Sequence, residues 1–167
     1  MIVCESERLI VRHFTLDDSE FIIELLNQES FIRYIADKNV RTVADAESYL
    51  LMGPMASYKQ FGFGLSMVVL KATNIPIGMC GLLKRDELQH PDLGYAFLPD
   101  FCGQGYALEA ANSVLEIGMS AHSLDLVLAV TLPDNHNSNR LLQNAGFTQN
   151  GTIDLYESEN NLYEYRL

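Results

Sequence analysis

The chain has 167 residues, enough for one domain with a substantial buried core. Its 22 acidic and 11 basic residues give a net charge of −11, which argues against nucleic acid as a partner because phosphate backbones attract Lys- and Arg-rich surfaces. Scattered cysteines and histidines show no spacing typical of a disulfide framework or a metal site. No apolar run is long enough to span a membrane and the N-terminus lacks a secretory pattern, so we expect a cytoplasmic, metal-free protein.

The excess of acidic residues also bears on the partners that the chain could bind. It would suit a cationic molecule, such as an amine or a basic peptide, by raising the local concentration of that molecule. Solubility is the more ordinary explanation for most of these charges. The net charge therefore excludes classes of partner without identifying one.

The first part of the chain predicts a strand followed by helices. Thr15 followed by Asp18, and Thr42 followed by Asp45, are typical of helix N-termini, and Gly53–Pro54 interrupts the third helical segment. We place the opening strand at residues 8–14 and the helices at residues 15–27, at 30–35 and from 42 onward.

The remainder alternates between strand and helix patterns. Two apolar strands joined by a short turn predict a hairpin, and a near-continuous apolar run later in the chain predicts a central strand. Strands are predicted at residues 64–71, 75–84, 93–98, 124–131, 147–156 and 162–167, with helices at 104–121 and 133–144 and a polar turn at 157–161. The order indicates one mixed α/β domain that covers residues 1–167.

A glycine-bearing loop connects the strand at 93–98 to the next helix. Pro99 cannot donate to a strand ladder and ends the strand, while Gly103 and Gly105 allow close approach of the backbone to a ligand. The helix that begins near Gln104 has free N–H groups in its first turn, which favour an anion. This arrangement predicts a phosphate-binding loop.

Two common phosphate loops do not fit this segment. The chain has no G-x-x-x-x-G-K-[ST] run, which excludes the loop of nucleotide hydrolases. A dinucleotide-binding fingerprint requires a small residue where this chain has Leu108, so a dinucleotide-dependent enzyme is disfavoured.

Instead, Cys102 to Ala107 resembles the coenzyme A pyrophosphate loop of the GNAT acetyltransferases, [QR]-x-x-G-x-[GA], with Cys102 in place of the first Gln or Arg. The segment TLPDNHNSNRLLQNAGF, residues 131–147, resembles the N-x-x-S-x-x-L-L-x-x-x-G-F signature of the RimJ/RimL branch, the ribosomal-protein N-terminal acetyltransferases. The opening SERLIVRHFTLDD resembles the start of that branch. The likeness covers nearly the whole chain, and it is weakest between Asn39 and Phe63, a region that helps to shape the acceptor site in this family.

The resemblance implies a central mixed sheet of six to seven strands, flanked by helices on both faces and splayed between the fourth and fifth strands, here residues 93–98 and 124–130. Acetyl-CoA would enter the splay as co-substrate, without a metal. Its pantetheine would pair with the backbone near Tyr95, Phe97 and Leu98, and a backbone N–H near Phe97 or Leu98 would stabilise the oxyanion. Its pyrophosphate would bind the N–H groups of Gly103, Gln104, Gly105, Tyr106 and Ala107.

The resemblance also points to catalytic side chains. Much of the wider family uses a Tyr to protonate the leaving thiolate, and Leu142 stands at that position here, so we assign the role to Ser138. Asn135 would bind the pantetheine or a water, although Asn135 and Ser138 also fit an ordinary helix N-cap and its partner.

The resemblance does not name a base. From their positions in the chain, the candidates are Asp92 and Glu157, with Glu87 and His90 as further options, and each carboxylate is more often a surface charge than a catalyst.

The implied function is an acetyl-CoA-dependent N-acetyltransferase that transfers an acetyl group to a primary amine by direct attack in a ternary complex. The acceptor would be a protein N-terminus, or a small amine such as a polyamine or an amino acid derivative. An α-amino group titrates near ~7.7–8.0 and hardly needs a strong base. The alternative is a non-catalytic acyl-CoA-binding module of the same fold. Monomer and homodimer are both open.

Overall fold

The computed structural model describes residues 1–167 and contains eight strands and six α-helices. The strands are β1 (Ile2–Glu5), β2 (Leu9–Arg12), β3 (Ser66–Leu70), β4 (Pro76–Leu83), β5 (Asp92–Phe97), β6 (Leu126–Thr131), β7 (Thr148–Leu155) and β8 (Ser158–Arg166). The helices are α1 (Ser19–Leu26), α2 (Glu29–Tyr34), α3 (Val43–Met52), α4 (Pro54–Phe61), α5 (Tyr106–Ala121) and α6 (His136–Ala145). None of these helices combines the length and the apolar character that crossing a membrane requires.

All eight strands form one mixed sheet in the order β1-β2-β3-β4-β5-β6-β8-β7. Only the β5–β6 pair is parallel, so the predicted mixed α/β fold with helices on both faces is confirmed. The predicted number of six to seven strands is wrong by one strand, because Ile2–Glu5 pairs antiparallel with β2 at the edge of the sheet. A strand of four residues is too short for its alternation to stand out in the sequence.

The sheet splays in its middle, as the family resemblance implies. Strands β4 and β5 pair continuously from Gly78↔Phe97 to Leu83↔Asp92. By contrast, β5 and β6 pair only at Asp92↔Leu128, after which the two parallel strands separate toward their carboxyl ends. The second half of β5 therefore has a paired edge toward β4 and an open edge toward the splay.

Alternate residues of β5 face two separate parts of the core. Leu93 packs, with Tyr95 and Phe97 beside it, in the cluster that includes α5 and α6. Ala96 and Leu98 pack on the opposite face, in the cluster that includes α1, α2 and α3. The splay is thus bordered by α5 and α6 on one face and by α1–α4 on the other.

The last hairpin differs from its prediction. The polar segment 157–161 was expected to be a turn, but β8 begins at Ser158 and the turn is confined to Tyr156 and Glu157, whose φ angles are 51° and 66°. Because β8 lies between β6 and β7, its polar residues gain backbone partners on both edges, and Asn161 pairs with Thr131 on one side and with Thr152 on the other. Pairing on two edges outweighs the low strand propensity of this segment.

Candidate active site

A cleft of about 940 Å³ lies where β5 and β6 separate. One wall consists of β5 and the loop into α5, and a second consists of the end of β6 and the start of α6. Residues of α2, α3 and α4 complete it on the other face of the sheet. The splay therefore opens onto a cavity that both halves of the core help to form.

The glycine loop forms one end of this cleft. Gly103 and Gly105 have φ angles of 78° and 84°, a conformation that side chains other than glycine rarely adopt. Gly105 is the N-cap of α5 and provides no side chain to cap the helix. The backbone N–H groups of residues 103–108 form no hydrogen bond within the chain. Together they make a row of donors at a helix N-terminus, which suits an anionic group.

Arg8 holds this loop against the start of the chain. Its Nε donates to Glu109 Oε1 at 2.7 Å, and its Nη1 donates to the carbonyl oxygen of Gln104 at 3.1 Å. The guanidinium carbon lies 4.3 Å from the centre of the Tyr106 ring. Sequence analysis missed this clamp, since about a hundred residues separate its partners and no local pattern joins them.

The edge of β5 determines which backbone groups face the splay. The Leu98 N–H donates to the Ile77 carbonyl oxygen at 2.9 Å and is therefore not free to bind a ligand, and the Leu98 side chain is buried in the core. Because N–H directions alternate along a strand, those of Tyr95 and Phe97 face the open edge. The Leu98 N–H is thus not available for its predicted role in cofactor and oxyanion binding, whereas the role of Phe97 stays a prediction that its open-edge N–H allows.

The hydroxyl groups of Tyr95 and Ser138 hydrogen-bond to each other across the splay. Burial raises the pKa of Tyr95, so this phenol stays neutral through the physiological range. Leu142, at the position of the family Tyr, is fully buried in the core and cannot reach the cleft. The predicted proton donor, Ser138, therefore has a tyrosine as its hydrogen-bond partner. This tyrosine lies on β5, whereas the position of the family Tyr lies on α6.

Asn135 caps α6. Its Oδ1 accepts from the Ser138 N–H at 3.4 Å, and Asn135 and Ser138 both line the cleft. The capping interpretation thus holds for Asn135, and the Ser138 hydroxyl remains available to Tyr95. The neighbouring Asn139 fixes the other side of this helix turn, since its Oδ1 accepts from Thr131 at 2.5 Å and from Tyr163 at 3.1 Å.

Neither candidate base lies in the cleft. Asp92 is fully buried, and both of its carboxylate oxygens accept hydrogen bonds from Arg85, at 3.0 Å and 2.7 Å. Burial raises the pKa of Asp92, and the hydrogen bonds from Arg85 oppose that rise. Glu157 is exposed in the turn between β7 and β8, where its neighbour Tyr156 reaches the cleft. The geometry therefore supports neither residue as a base.

Charged side chains of one sign line the cleft. They are Lys38, Lys84, Arg85 and Arg140, and no Asp, Glu or His side chain lines it. In a chain with 22 acidic residues, the cleft is thus a local exception to the net charge. This arrangement differs from the expectation that the acidic composition would serve a cationic ligand.

The wall formed by α2, α3 and α4 is mostly apolar or aromatic. It includes Phe31, Tyr34, Tyr49 and Phe61, with Gln28, Ser30, Ser57 and Gln60 as polar members. Burial raises the pKa of Tyr49 to about 12. This is the region where the resemblance is weakest, and it lies across the cleft from Ser138.

Comparison with known proteins identifies one family. A model described as the acetyltransferase (GNAT) domain matches residues 8–148. The uncharacterized N-acetyltransferase YoaA of Bacillus subtilis strain 168 is 28% identical over 160 residues, which cover 95% of this chain and 89% of YoaA. YnaD, a second uncharacterized N-acetyltransferase of that strain, is 26% identical over 146 residues, which cover 87% of this chain and 82% of YnaD.

Solved structures share the fold over its whole length. An acetyltransferase of the GNAT family from Bacillus anthracis superposes with a TM-score of 0.80 at 25% identity and covers 99% of this chain and 98% of its own. RimL, a ribosomal alpha-N-protein acetyltransferase in complex with coenzyme A, superposes with a TM-score of 0.85, over 100% of this chain and 98% of its own. At 15% identity, the likeness to RimL shows the fold alone.

Proposed function

The chain belongs to the GNAT acetyltransferase family, and from this premise we propose that it transfers an acetyl group from acetyl-CoA to the neutral α-amino group of an acceptor, in the manner of the RimJ/RimL branch. The main support for this proposal is a row of backbone N–H groups that have no partner within the chain and that follow one another along the cleft. The open edge of β5 at Tyr95 and Phe97 leads into the unpaired N–H groups of residues 103–108.

The residues present fit coenzyme A. The N–H groups of residues 103–107 suit the pyrophosphate, with Gly103 and Gly105 leaving the backbone uncovered. The open edge of β5 suits the amide-bearing pantetheine, which can extend the sheet as another strand would. A side chain at Gly103 would meet no protein atom within 4 Å, so that space is available to a ligand.

Acetyl-CoA supplies the acetyl group as an activated thioester. The Phe97 N–H faces the open edge of β5 and donates a hydrogen bond to the acetyl oxygen as negative charge develops on it. The Ser138 hydroxyl donates its proton to the departing sulfur while it accepts the Tyr95 hydroxyl proton as a hydrogen bond. The proton that the amine loses passes through water back to Ser138, which thereby regains the proton it gave to the sulfur, so the products are the amide and the neutral thiol.

No carboxylate or imidazole lines the cleft to act as the base that deprotonates an ammonium group. The acceptor must therefore arrive as a neutral amine. An α-amino group, with a pKa near ~7.7–8.0, meets this condition far better than a lysine side chain, with a pKa near ~10.4. This contrast favours an α-amino acceptor, as in the RimJ/RimL branch.

The test is a thiol-release assay with acetyl-CoA and a panel of acceptors, namely peptides with free N-termini, amino acid derivatives, polyamines and lysine blocked at its α-amino group. We expect release with acceptors that offer an α-amino group. Absence of release from every acceptor, together with calorimetric binding of coenzyme A, would instead support the non-catalytic module. Absence of coenzyme A binding would contradict both.

A further inference from the structure

A buried carboxylate fixes the orientation of the Arg85 side chain at the cleft. Asp92 is fully buried and accepts from Nε and Nη2 of Arg85, which holds the guanidinium in one orientation. Nη1 donates none of these hydrogen bonds, and the centre of the Tyr156 ring lies 6.0 Å from the guanidinium carbon. Arg85 is thus oriented from behind by a buried carboxylate and retains donors toward the cleft.

The position of Arg85 separates it from the phosphate-binding end of the cleft. Arg85 pairs with Asp92 at the start of β5, whereas the glycine loop follows the end of that strand. The six residues of β5 span roughly 17–20 Å between these two ends. The pyrophosphate loop already has its own backbone donors there, so Arg85 is placed to meet a different anion.

The surroundings of Arg85 add positive charge on the side of the cleft, since the nearby Glu87 accepts a hydrogen bond from Tyr156 at 3.4 Å and does not line the cleft. Lys84 lines the same part of the cleft and is fixed by hydrogen bonds from its Nζ to the carbonyl oxygens of Arg85 and Leu88, at 2.8 Å and 2.6 Å. Asp92 lies behind the guanidinium and does not line the cleft. The side of the guanidinium that faces the cavity therefore favours an anion.

We propose that Arg85, oriented by Asp92 and supported by Lys84, binds an anionic group on the acceptor, which is an α-amine that carries a carboxylate or a phosphate near its amino group. The inference rests on the proposed acetyltransferase function and narrows its substrate class. It disfavours polyamines, which are wholly cationic and would meet Lys84 and Arg85 at this end of the cleft.

The experiment compares short acceptors with the same N-terminal residue. Alanyl-asparagine amide has no anion, alanyl-aspartate amide has a side-chain carboxylate, alanyl-asparagine has a terminal carboxylate, and alanyl-phosphoserine amide has a phosphate. Spermidine serves as the cationic acceptor. Rates are measured at a pH where every α-amine is neutral, which removes differences in amine pKa, and the three anionic compounds distinguish the source of the charge.

With the unmodified protein, we expect kcat/KM for at least one anionic acceptor to exceed that for alanyl-asparagine amide by about tenfold or more, since hydrogen bonds to a charged group are the strong ones. Arg85→Gln should reduce this ratio to near one by raising KM for the anionic acceptor, while the neutral acceptor is little affected. Arg85→Lys should keep part of the preference. The preference should also weaken as the salt concentration rises.

Two further variants separate recognition from folding. Arg85→Gln leaves Asp92 buried without its partner, so the double variant Arg85→Gln/Asp92→Asn replaces the ion pair with two neutral amides and should lose the anion preference in the same way. Arg166→Gln removes an exposed arginine outside the cleft and should leave the ratio unchanged. Thermal unfolding of each variant verifies that it is folded.

The outcomes also distinguish this inference from the function on which it rests. Thiol release at equal rates from neutral and anionic acceptors, or an anion preference that survives in the folded double variant, would overturn the role of Arg85 alone. Preference for spermidine would overturn it as well. Absence of release from all acceptors would instead contradict the acetyltransferase proposal.

Discussion

Tyr95 on β5 and Ser138 on α6 join their hydroxyl groups in a hydrogen bond across the splay of the sheet. Tyr95 belongs to β5 and Ser138 follows β6, and these two strands pair only at Asp92↔Leu128, at the start of β5. This contact therefore links the two sides of the cleft beyond the point where backbone pairing ends. It also directs the Ser138 hydroxyl, since the Tyr95 proton can occupy one lone pair of Ser138 Oγ and leave the serine proton for a ligand.

Ser138→Ala should reduce kcat by about 10²-fold, because a positioned proton donor contributes roughly 10²–10⁴-fold to such a transfer. The affinity for coenzyme A should change little, since Ser138 contributes a hydroxyl to the chemistry and not to the phosphate loop. Tyr95→Phe should reduce kcat less, because Ser138 keeps its own proton. Steady-state kinetics and calorimetry with coenzyme A measure the two effects.

The matched control for Ser138→Ala is His136→Ala, which alters an exposed residue in the same first turn of α6. It should leave kcat near that of the unmodified protein. Equal losses of kcat in both variants would show that the turn matters as a structure, and an unchanged kcat in Ser138→Ala would exclude Ser138 as the donor.

Gly103→Ala should weaken coenzyme A binding by about fivefold to twentyfold. Its φ angle is 78° and an added Cβ would meet no protein atom within 4 Å, so the cost in the free protein is backbone strain of about 1–2 kcal/mol. In the complex, the methyl group would also occupy space beside the N–H donors. Calorimetry with coenzyme A tests this expectation.

Gly151 provides a close control because it has the same φ angle of 78° and the same empty surroundings, but it lies in β7 away from the cleft. Gly151→Ala should therefore cost similar stability and leave coenzyme A affinity unchanged. If both variants lower the affinity equally, the loss reflects general destabilisation and not the phosphate loop.

The activity should rise with pH as the acceptor amine loses its proton, with a midpoint near the amine pKa of ~7.7–8.0 for an α-amino acceptor. No carboxylate or imidazole lines the cleft, so we expect no second ionisation in the pH–rate profile below the pKa of the amine. Burial raises the pKa of Tyr95, so the phenol keeps its proton as the pH rises, and the rate should show no fall near the pH of ~10 at which an ordinary tyrosine ionises. Profiles of kcat/KM for two acceptors that differ in amine pKa measure this, and a midpoint that does not follow the acceptor would reveal a protein base.

Much of the fold could be predicted because local signals and global packing agree. The Thr15–Asp18 and Thr42–Asp45 capping boxes are present as the spacing indicates, and Gly53–Pro54 separates α3 from α4. The strand at Ile2–Glu5 and the start of β8 at Ser158 were missed, since both depend on pairing with neighbours that local sequence does not reveal. Stability there comes from the sheet and not from propensity.

The site was predictable only in part, for a similar reason. Sequence spacing identified the glycine loop, but the partners of Asp92, Ser138 and Glu109 come from distant segments. In the sequence, Asp92 is a carboxylate that could act as a base. In the structure, Arg85 donates hydrogen bonds to both of its oxygens. Contacts between elements decide whether a charged residue is a catalyst or part of the framework, and no periodicity encodes them.

Asp18 offers a final prediction, on stability. Its carboxylate joins the first helical turn to β2, since it accepts from Arg12 Nη2 at 2.9 Å, from Arg12 Nη1 at 3.0 Å and from the Thr15 N–H at 2.8 Å. Burial raises the pKa of Asp18, but the hydrogen bonds from Arg12 and Thr15 lower it by a larger amount. The pKa of Asp18 therefore lies below its ordinary value. Asp18→Asn keeps the shape, removes the charge and should lower the free energy of unfolding at pH 7 by about 2 kcal/mol.

Because the folded-state pKa of Asp18 is lowered, its contribution is complete above the unfolded value of ~3.9 and is lost as the pH falls through the folded value. The difference between Asp18→Asn and the unmodified protein should therefore shrink below about pH 4. Asp45→Asn is the control, because Asp45 closes the same kind of capping box at a less buried position without a side-chain ion pair, and its effect should be much smaller. Urea unfolding at pH 7 and at pH 3 measures both variants, and equal effects at pH 7 would show that the Arg12 pair adds nothing to the cap.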